Sequence, residues 1–287
     1  MSSKDYFELQ RRRVEEAIDR LLPKADTRPS LLNEALRYSV LTGGKRLRPI
    51  LSITAADAVQ GPAGDFSAAI NSAVAVEFLH SYTLIHDDLP AMDNDLLRRG
   101  QPTVHAKYGE GLAILAGDAL QAFAFDVISR PSNLSPSRTM RAVHELTLAA
   151  GPAGVVGGQV EDIAGNKGLT EDRLQYVFRH KTADLFRAAL RIGAITGGGD
   201  DDAVEAMGAY GTNLGIAFQV IDDLLDAPDG TPPEEELSCL HLWSRDKAME
   251  TAKAYTTEAV AALSSIPGSP ATAMMADVAQ KLLTRVV

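Results

Sequence analysis

The chain has 287 residues, of which 45% are hydrophobic and 23% are charged. This composition is typical of a soluble globular protein and excludes disordered, collagen-like and low-complexity chains. The net charge of −10 differs from the basic balance typical of duplex nucleic-acid binders. Cys239 is the only cysteine, which excludes an intramolecular disulfide and a multi-cysteine zinc site and favours a reducing, cytoplasmic location.

The sequence gives no sign of a membrane-directed segment. Residues 1–22 carry scattered charges and no apolar core, so we expect no signal peptide. Uninterrupted apolar runs of about 18 residues are absent, so we expect no membrane-spanning helix.

Helical patterns dominate the chain, and strand-like alternation is nearly absent. Val14, Ile18, Leu21 and Leu22 repeat at spacings of three and four, which predicts a first amphipathic helix. Further apolar runs predict helices over 68–85, 111–129, 171–196 and 203–225. The last of these contains Gly208, Gly211 and Gly215, which lower helix propensity but allow a neighbouring helix to approach closely.

Helix-breaking residues separate these runs. They are Gly61-Pro62, Pro131, Pro136, Gly151-Pro152, Gly165, Gly197–Gly199, Pro228–Pro233 and Pro267–Pro270. We therefore predict an all-α fold of about ten helices with short connections, in which residues 1–287 form one large helical bundle.

A basic loop lies at residues 43–49, with the sequence GGKRLRP. Its glycines expose backbone N–H groups, and three cations follow within four residues. This combination suits phosphate oxygens, although a solvated basic turn would look the same in isolation.

The first acidic motif ends the apolar run that leads to Asp87 and Asp88. Pro90 predicts that the helix kinks or ends there, which would bring Asp93 back towards Asp87. Carboxylates at a helix C-terminus oppose the helix dipole and need a compensating cation, so we predict metal binding. Arg98 and Arg99 follow closely and suit bidentate contacts with phosphate.

The second acidic motif contains Asp222, Asp223 and Asp226, again after an apolar run. Asp222 and Asp226 share one helix face and could present two carboxylates to one cation. Oxygen-only ligands favour Mg²⁺, which usually bridges carboxylates to a substrate phosphate. Lys181 and Thr182 lie in another apolar segment, where the lysine could also be a snorkelling surface residue. Together these features predict a ligand with an anionic head and an apolar tail.

At these positions the chain resembles the trans-prenyl diphosphate synthases, especially the short-chain bacterial farnesyl/geranylgeranyl type. The matching segments are GGKRLRP (43–49), HSYTLIHDDLPAMDNDLLRRGQPTVH (80–105), LAGDAL (115–120), GGQ (157–159), RHKTADLFRAA (179–189) and FQVIDDLLD (218–226). The resemblance implies the isoprenoid synthase fold around a central cavity, as a homodimer. It also implies head-to-tail condensation of isopentenyl diphosphate with an allylic diphosphate, with about three Mg²⁺ ions, for which Mn²⁺ could substitute.

The resemblance also implies roles for individual residues. The metal ligands would be Asp87, Asp88, Asp93, Asp222, Asp223 and Asp226. The allylic diphosphate would contact Arg98, Lys181, Thr182 and Gln219. Isopentenyl diphosphate would be held by Gly44, Lys45, Arg48, His80 and Arg99. Of these residues, Asp87, Asp88, Asp93, Lys181 and Asp222 would carry the chemistry.

Product length is expected to depend on Tyr82 and Thr83, about 6–7.5 Å along the helix from the first aspartate. In similar synthases an aromatic residue at this place accompanies a C15 product and a small residue a C20 product. Tyr82 therefore favours farnesyl diphosphate, with geranyl and geranylgeranyl diphosphate as the alternatives.

One segment departs from the family pattern. No lysine occurs between Asp226 and Lys247, where the family usually has a Gly-Lys pair. Arg245 or Lys247 could substitute. The departure leaves open a weakly active or inactive homologue that modulates another synthase. A class I terpene cyclase is a third possibility, against which the two basic clusters argue.

Overall fold

The computed structural model describes residues 2–60, 67–130 and 133–285. Thirteen α-helices occur in these residues, and the all-α prediction is confirmed. They are α1 (Ser3–Leu21), α2 (Ser30–Leu41), α3 (Leu47–Gln60), α4 (Ser67–Asp87), α5 (Val104–Tyr108), α6 (Glu110–Ser129), α7 (Pro136–Ala150), α8 (Val155–Asp162), α9 (Glu171–Val177), α10 (Asp184–Thr196), α11 (Asp201–Asp226), α12 (Arg245–Ala262) and α13 (Pro270–Leu283).

The remaining regular elements are short. A two-stranded hairpin pairs β1 (Leu97–Arg98) with β2 (Gln101–Pro102) in antiparallel register. A π-helical segment, Phe178–Ala183, separates α9 from α10, and 3₁₀ turns occupy Cys239–His241 and Leu263–Ser265. The predicted breakers Gly61-Pro62 and Pro131 lie outside the described residues.

The predicted helix over 171–196 is divided by the π segment. Asp184 donates its backbone N–H to the carbonyl of Arg179, which is the i→i+5 bond of a π turn. Thr170 caps the start of α9 by accepting from the N–H of Arg173 at 3.2 Å. The sequence showed no break there because the segment 178–183, FRHKTA, contains neither proline nor glycine.

The centre of the bundle is built from α3, α4, α10 and α11, which bury at least half of their residues. α10 packs against α3, α7 and α11. The predicted close approach at the glycines of α11 is confirmed. A Cβ at Gly215 would lie 2.5 Å from the Cα of Ala183, and one at Gly211 would lie 2.8 Å from the Cα of Arg187.

Among the described residues, α6 is the one helix long and apolar enough to cross a membrane by length and composition. Its most apolar stretch has a mean hydropathy of 1.5 and is 39% buried. Core helices of soluble proteins meet the same criteria, and α6 packs one face against α4. Its other face, which includes Ile114 and Leu115, is exposed.

Candidate active site

A cavity of about 610 Å³ lies between the basic loop, the C-terminal parts of α4 and α11, α8 and the π segment. We call it the central cavity. The side chains or backbones of eleven residues singled out from the sequence line it: Gly44, Lys45, Arg48, His80, Thr83, Asp87, Arg99, Lys181, Thr182, Gln219 and Asp222. Leu84, Val155, Leu185 and Phe218 add apolar surface to the same wall.

Basic side chains line one part of the central cavity. Arg48 lies over the ring of Phe186 at 4.3 Å, and its Nη1 is 3.3 Å from Nε2 of His80. Burial lowers the pKa of Arg48 to about 10, which still leaves it charged at neutral pH. Burial, with the charge of Arg48 added, lowers the pKa of His80 well below its usual value. His80 is therefore neutral and accepts the hydrogen bond from Arg48.

The basic loop is fixed by a buried ion pair that the sequence did not reveal. Arg46 has a left-handed backbone with φ of +52°, and its Nη1 lies 2.8 Å from Oε1 of Glu77 on α4. Its Nη2 donates to the carbonyl of Val40 at 2.6 Å. Arg99 donates to the carbonyl of Gly43 from the hairpin side. These contacts position Lys45 and Arg48 at the cavity.

The first acidic motif follows the predicted helix end. α4 stops at Asp87, three residues before Pro90, and the backbone N–H of Asp93 donates to the carbonyl of Asp87 at 2.9 Å. Burial raises the pKa of Asp87 to about 7, with smaller contributions from the nearby charges of Asp93 and Asp162. Lys181 opposes this rise. The chain therefore brings several carboxylates close together around one lysine.

Asp162 is a residue of this site that the sequence analysis missed. It ends α8 and forms an ion pair with Lys181. The available signal was its position three residues after Gln159, because i and i+3 residues share a helix face. Gln159 also lines the central cavity.

Asp88 and Arg98 pair with each other and do not line the central cavity. Arg98 Nε donates to Oδ1 of Asp88 at 2.6 Å, and its Nη2 lies 3.2 Å from Oδ2 of Asp95. Asp88 is almost fully buried by this pair. The two residues border a smaller adjoining pocket together with Arg99.

The second acidic motif is also divided. Asp222 lines the central cavity, where its Oδ1 lies 3.0 Å from Nη1 of Arg285. Asp223 points into the protein and accepts from the backbone N–H of Cys239 at 2.8 Å and from Nε2 of Gln219 at 3.0 Å. Burial raises the pKa of Asp223 to about 6. Asp226 is exposed at the helix end.

The π segment places Lys181 and Thr182 at the cavity. Thr182 Oγ1 donates to Oε1 of Gln219 at 2.7 Å, which links this segment to α11. α8 approaches from the other side at Gly158, where a Cβ would lie 2.2 Å from the backbone nitrogen of Lys181. The close backbone contact explains the second glycine of the GGQ segment.

Tyr82 does not line the central cavity, although Thr83 does. The Tyr82 side chain is buried, and its hydroxyl lies near Gln121 of α6. Its ring meets that of His86 edge-on at 5.7 Å. The expectation that Tyr82 closes the floor of the cavity therefore has no support from the cavity lining.

The proposed substitutes for the absent lysine are also engaged elsewhere. Arg245 Nη1 donates to the carbonyl of Ala227 at 2.8 Å, at the end of α11. Lys247 is exposed, 3.8 Å from Oε2 of Glu171 and over the ring of Trp243. Neither side chain lines the central cavity.

The donor set suits a hard divalent cation that also binds a ligand phosphate. No three His, Cys, Asp or Glu side chains of the described ranges form a complete metal cage. Mg²⁺ characteristically takes one or two protein carboxylates together with waters and substrate phosphates. Asp87 and Asp222 line the same cavity, and burial raises the pKa values of both, so a bound cation would stabilise their charged forms.

Comparison with known proteins finds a matching family model and similar curated relatives. A family model described as polyprenyl synthetase matches residues 29–232. The chain is 46% identical over 221 residues to the heterodimeric geranylgeranyl pyrophosphate synthase large subunit 1, chloroplastic, of Arabidopsis thaliana, covering 74% of this chain and 58% of the relative. It is 46% identical over 212 residues to a chloroplastic geranylgeranyl pyrophosphate synthase of Capsicum annuum, covering 73% and 56%. The chain thus spans less than two thirds of the length of these relatives.

Solved structures match over almost the whole chain. An FPP/GFPP synthase from Zymomonas mobilis superposes with a TM-score of 0.88 at 34% identity, covering 98% of each chain. A geranyltransferase from Legionella pneumophila gives a TM-score of 0.87 at 30% identity, covering 99% of this chain and 97% of the other. The predicted isoprenoid synthase fold is confirmed.

Proposed function

We infer the activity of this chain from the polyprenyl synthetase family, to which it belongs, and propose that it is a Mg²⁺-dependent short-chain prenyltransferase. It would join isopentenyl diphosphate head-to-tail to an allylic diphosphate and release diphosphate. One observation carries the proposal: a single cavity brings carboxylates, a cluster of cations and an apolar wall together. Such a lining suits two substrates that each combine a diphosphate with an apolar chain.

The basic residues are suited to hold isopentenyl diphosphate. Lys45, Arg48 and Arg99 line the cavity beside a neutral His80. Their positive charges attract the diphosphate, and the arginine forks allow paired hydrogen bonds to its oxygens. The ion pair of Arg46 with Glu77 leaves these three cations to face the ligand.

The acidic residues would hold Mg²⁺ against the allylic diphosphate. Asp87 and Asp222 line the cavity, with Asp93 and Asp162 close to Asp87. Bound Mg²⁺ supplies positive charge that stabilises the departing diphosphate. We assign Asp88 and Asp223 to holding the ends of α4 and α11 in place, because other protein groups satisfy their carboxylates.

The reaction needs no protein nucleophile. The allylic C1–O bond breaks, and its electron pair leaves with the diphosphate. The double bond of isopentenyl diphosphate forms the new C–C bond to C1 of the allylic substrate. A proton then leaves C2 of the isopentenyl unit, with the released diphosphate as the acceptor. Lys181 and Thr182 line the cavity and would stabilise the leaving group, and the apolar wall would exclude water from the cationic centre.

We favour a C20 product, geranylgeranyl diphosphate, over the C15 product expected from Tyr82. Two observations support this choice. The plant relatives at 46% identity carry the name geranylgeranyl pyrophosphate synthase, and the residue that lines the cavity is the small Thr83 instead of Tyr82. The Zymomonas mobilis structure carries the name of an FPP/GFPP synthase, which corresponds to other chain lengths, so the product assay is the deciding measurement.

We also propose that the working form is a homodimer. The exposed face of α6 carries Ile114 and Leu115, and the exposed stripe of α7 carries Met140 and Leu148. An apolar surface spread over two neighbouring helices is typical of an interface between protein chains. A second copy of this chain is the partner that we propose.

The test is a product assay on the purified chain. The protein is incubated with Mg²⁺, isopentenyl diphosphate and either dimethylallyl, geranyl or farnesyl diphosphate, and the dephosphorylated products are sized by chromatography. We expect elongation to C20 and a large loss of turnover in Lys181→Gln. Lys247→Gln is the matched control, because Lys247 lies outside the cavity. Folded protein that elongates none of the primers would contradict the proposal and favour a modulatory subunit.

A further inference from the structure

Arg285 places a positive charge on the carboxylate to which we assign Mg²⁺. Its Nη1 lies 3.0 Å from Oδ1 of Asp222, and its guanidinium lies 5.4 Å from the ring centre of Phe218. Arg285, Asp222 and Phe218 all line the central cavity. Both partners of the pair are about one third exposed, so ligands have access to the pair.

No other cation in the described stretch 227–285 occupies a comparable position. Its Lys and Arg residues are Arg245, Lys247, Lys253, Lys281 and Arg285, and only Arg285 lines the central cavity. Arg245 binds backbone carbonyls at the end of α11, and Lys281 pairs with Asp277 on the surface at 2.8 Å. The described stretch 227–285, which lacks the expected lysine near its start, therefore contributes one cation to the site, and this cation is Arg285 near its end.

A divalent cation bound to Asp222 would weaken the contact between Asp222 and Arg285. Asp222 is surrounded by the opposite charges of Arg285 and Lys45 and by the like charge of Asp226. A divalent cation on Asp222 would compete with Arg285 for the same oxygens and would repel its guanidinium. A diphosphate in the cavity offers a new set of oxygens, for which a guanidinium is well suited.

We propose that Arg285 exchanges partners during ligand binding. In the free protein it neutralises Asp222, and when a divalent cation takes Asp222, Arg285 turns to the diphosphate of the ligand. It would thereby replace the absent lysine as a diphosphate-binding residue and would couple metal binding to diphosphate binding. This inference rests on the proposed function, because it assigns both ligands to the central cavity.

The test separates the two halves of the exchange with simple probes. Binding of Mn²⁺ alone to the full chain is followed by electron paramagnetic resonance, and binding of inorganic diphosphate is measured by calorimetry at saturating Mn²⁺. In Arg285→Gln we expect Mn²⁺ to bind about two- to fivefold more tightly, the range of a partly exposed ion pair. We expect diphosphate to bind at least about tenfold more weakly, because a charged hydrogen-bond donor is lost.

Two further variants complete the experiment. Arg285→Lys keeps the charge and should restore a large part of both affinities. Lys281→Gln removes the same charge one turn away and should leave both affinities unchanged, because Lys281 lies outside the central cavity. Unchanged or weaker Mn²⁺ binding in Arg285→Gln would overturn the competition, and unchanged diphosphate binding would overturn the exchange. Neither measurement requires turnover, so failure of the condensation assay remains a separate result.

Discussion

Glu77 is a buried side chain that holds the basic loop in place through Arg46 and has no proposed contact with the substrates. Both members of the Arg46–Glu77 pair are at least 96% buried at the side chain, with relative exposures of 2% and 4%. Removing one member of such a pair leaves an uncompensated charge in the interior. The same change would release the basic loop, since Arg46 is its anchor on α4.

We expect Glu77→Ala to lower the free energy of unfolding by about 3–5 kcal/mol, the usual cost of breaking a buried ion pair. Glu205→Ala is the matched control, because Glu205 pairs with Arg191 but is 70% exposed. Its loss should cost less than about 1 kcal/mol. Urea unfolding of both variants followed by circular dichroism measures the difference, and equal losses would show that the buried pair has no special role.

Product length gives a second prediction at the residue scale. Thr83 lines the central cavity and Tyr82 does not, so a larger side chain at Thr83 should occupy the space of the growing chain. We expect Thr83→Phe to shorten the main product by at least about one isoprene unit relative to the wild type. Tyr82→Ala removes the whole ring and should leave the product unchanged, because Tyr82 does not line the cavity. A longer product from Tyr82→Ala would restore Tyr82 as the length determinant.

At the scale of elements, the sequence predicted helices better than it predicted the orientation of their side chains. Apolar periodicity located α4 and α11, and their ends fall at Asp87 and Asp226 as the acidic motifs suggested. Periodicity carries no information on which of two adjacent aspartates faces a cavity. The inward turn of Asp223 depends on Cys239, sixteen residues away, and that of Asp88 depends on Arg98 in the hairpin.

The π segment was missed for a similar reason. Its i→i+5 bonding widens one turn between α9 and α10, and its sequence, FRHKTA, has no proline or glycine that would indicate a break. The resemblance identified Lys181 and Thr182, but only the fold shows that a π turn and the close approach of α8 place them. π turns inserted in α-helices are frequent at functional sites.

We expect Gly158→Ala to displace this segment. The added Cβ would lie 2.2 Å from the backbone nitrogen of Lys181 and 2.7 Å from its Cα, where no flexible atom can yield. A shift of about 1 Å in Lys181 would lower turnover on the order of 100-fold. Gly268→Ala is the control, since a Cβ there meets nothing within 4 Å. The product assay and a thermal melt are compared for both variants, and wild-type turnover in Gly158→Ala would contradict the argument.

At the scale of the whole molecule, the two faces of α6 differ in their surroundings. One face packs against α4, next to the first acidic motif, through residues such as Ala113, Gly117 and Leu120. The opposite face exposes apolar side chains that a monomer would leave in water. A second copy covering this face would restrict the motion of α6. Because α6 packs against α4, the second copy would also stabilise the position of Asp87 at the end of α4.

This arrangement gives a matched pair of variants. Leu115 on α6 is 58% exposed and Leu31 on α2 is 57% exposed, so both tolerate a charge equally well in the isolated chain. Only Leu115 lies on the proposed interface, where a glutamate from each copy would be desolvated and would repel its counterpart. We therefore expect Leu115→Glu to shift the protein from dimer to monomer in size-exclusion chromatography with light scattering, while Leu31→Glu keeps the wild-type mass. If the second copy stabilises α4, the monomeric variant should also lose turnover. A Leu115→Glu protein that remains dimeric would show that the interface lies elsewhere.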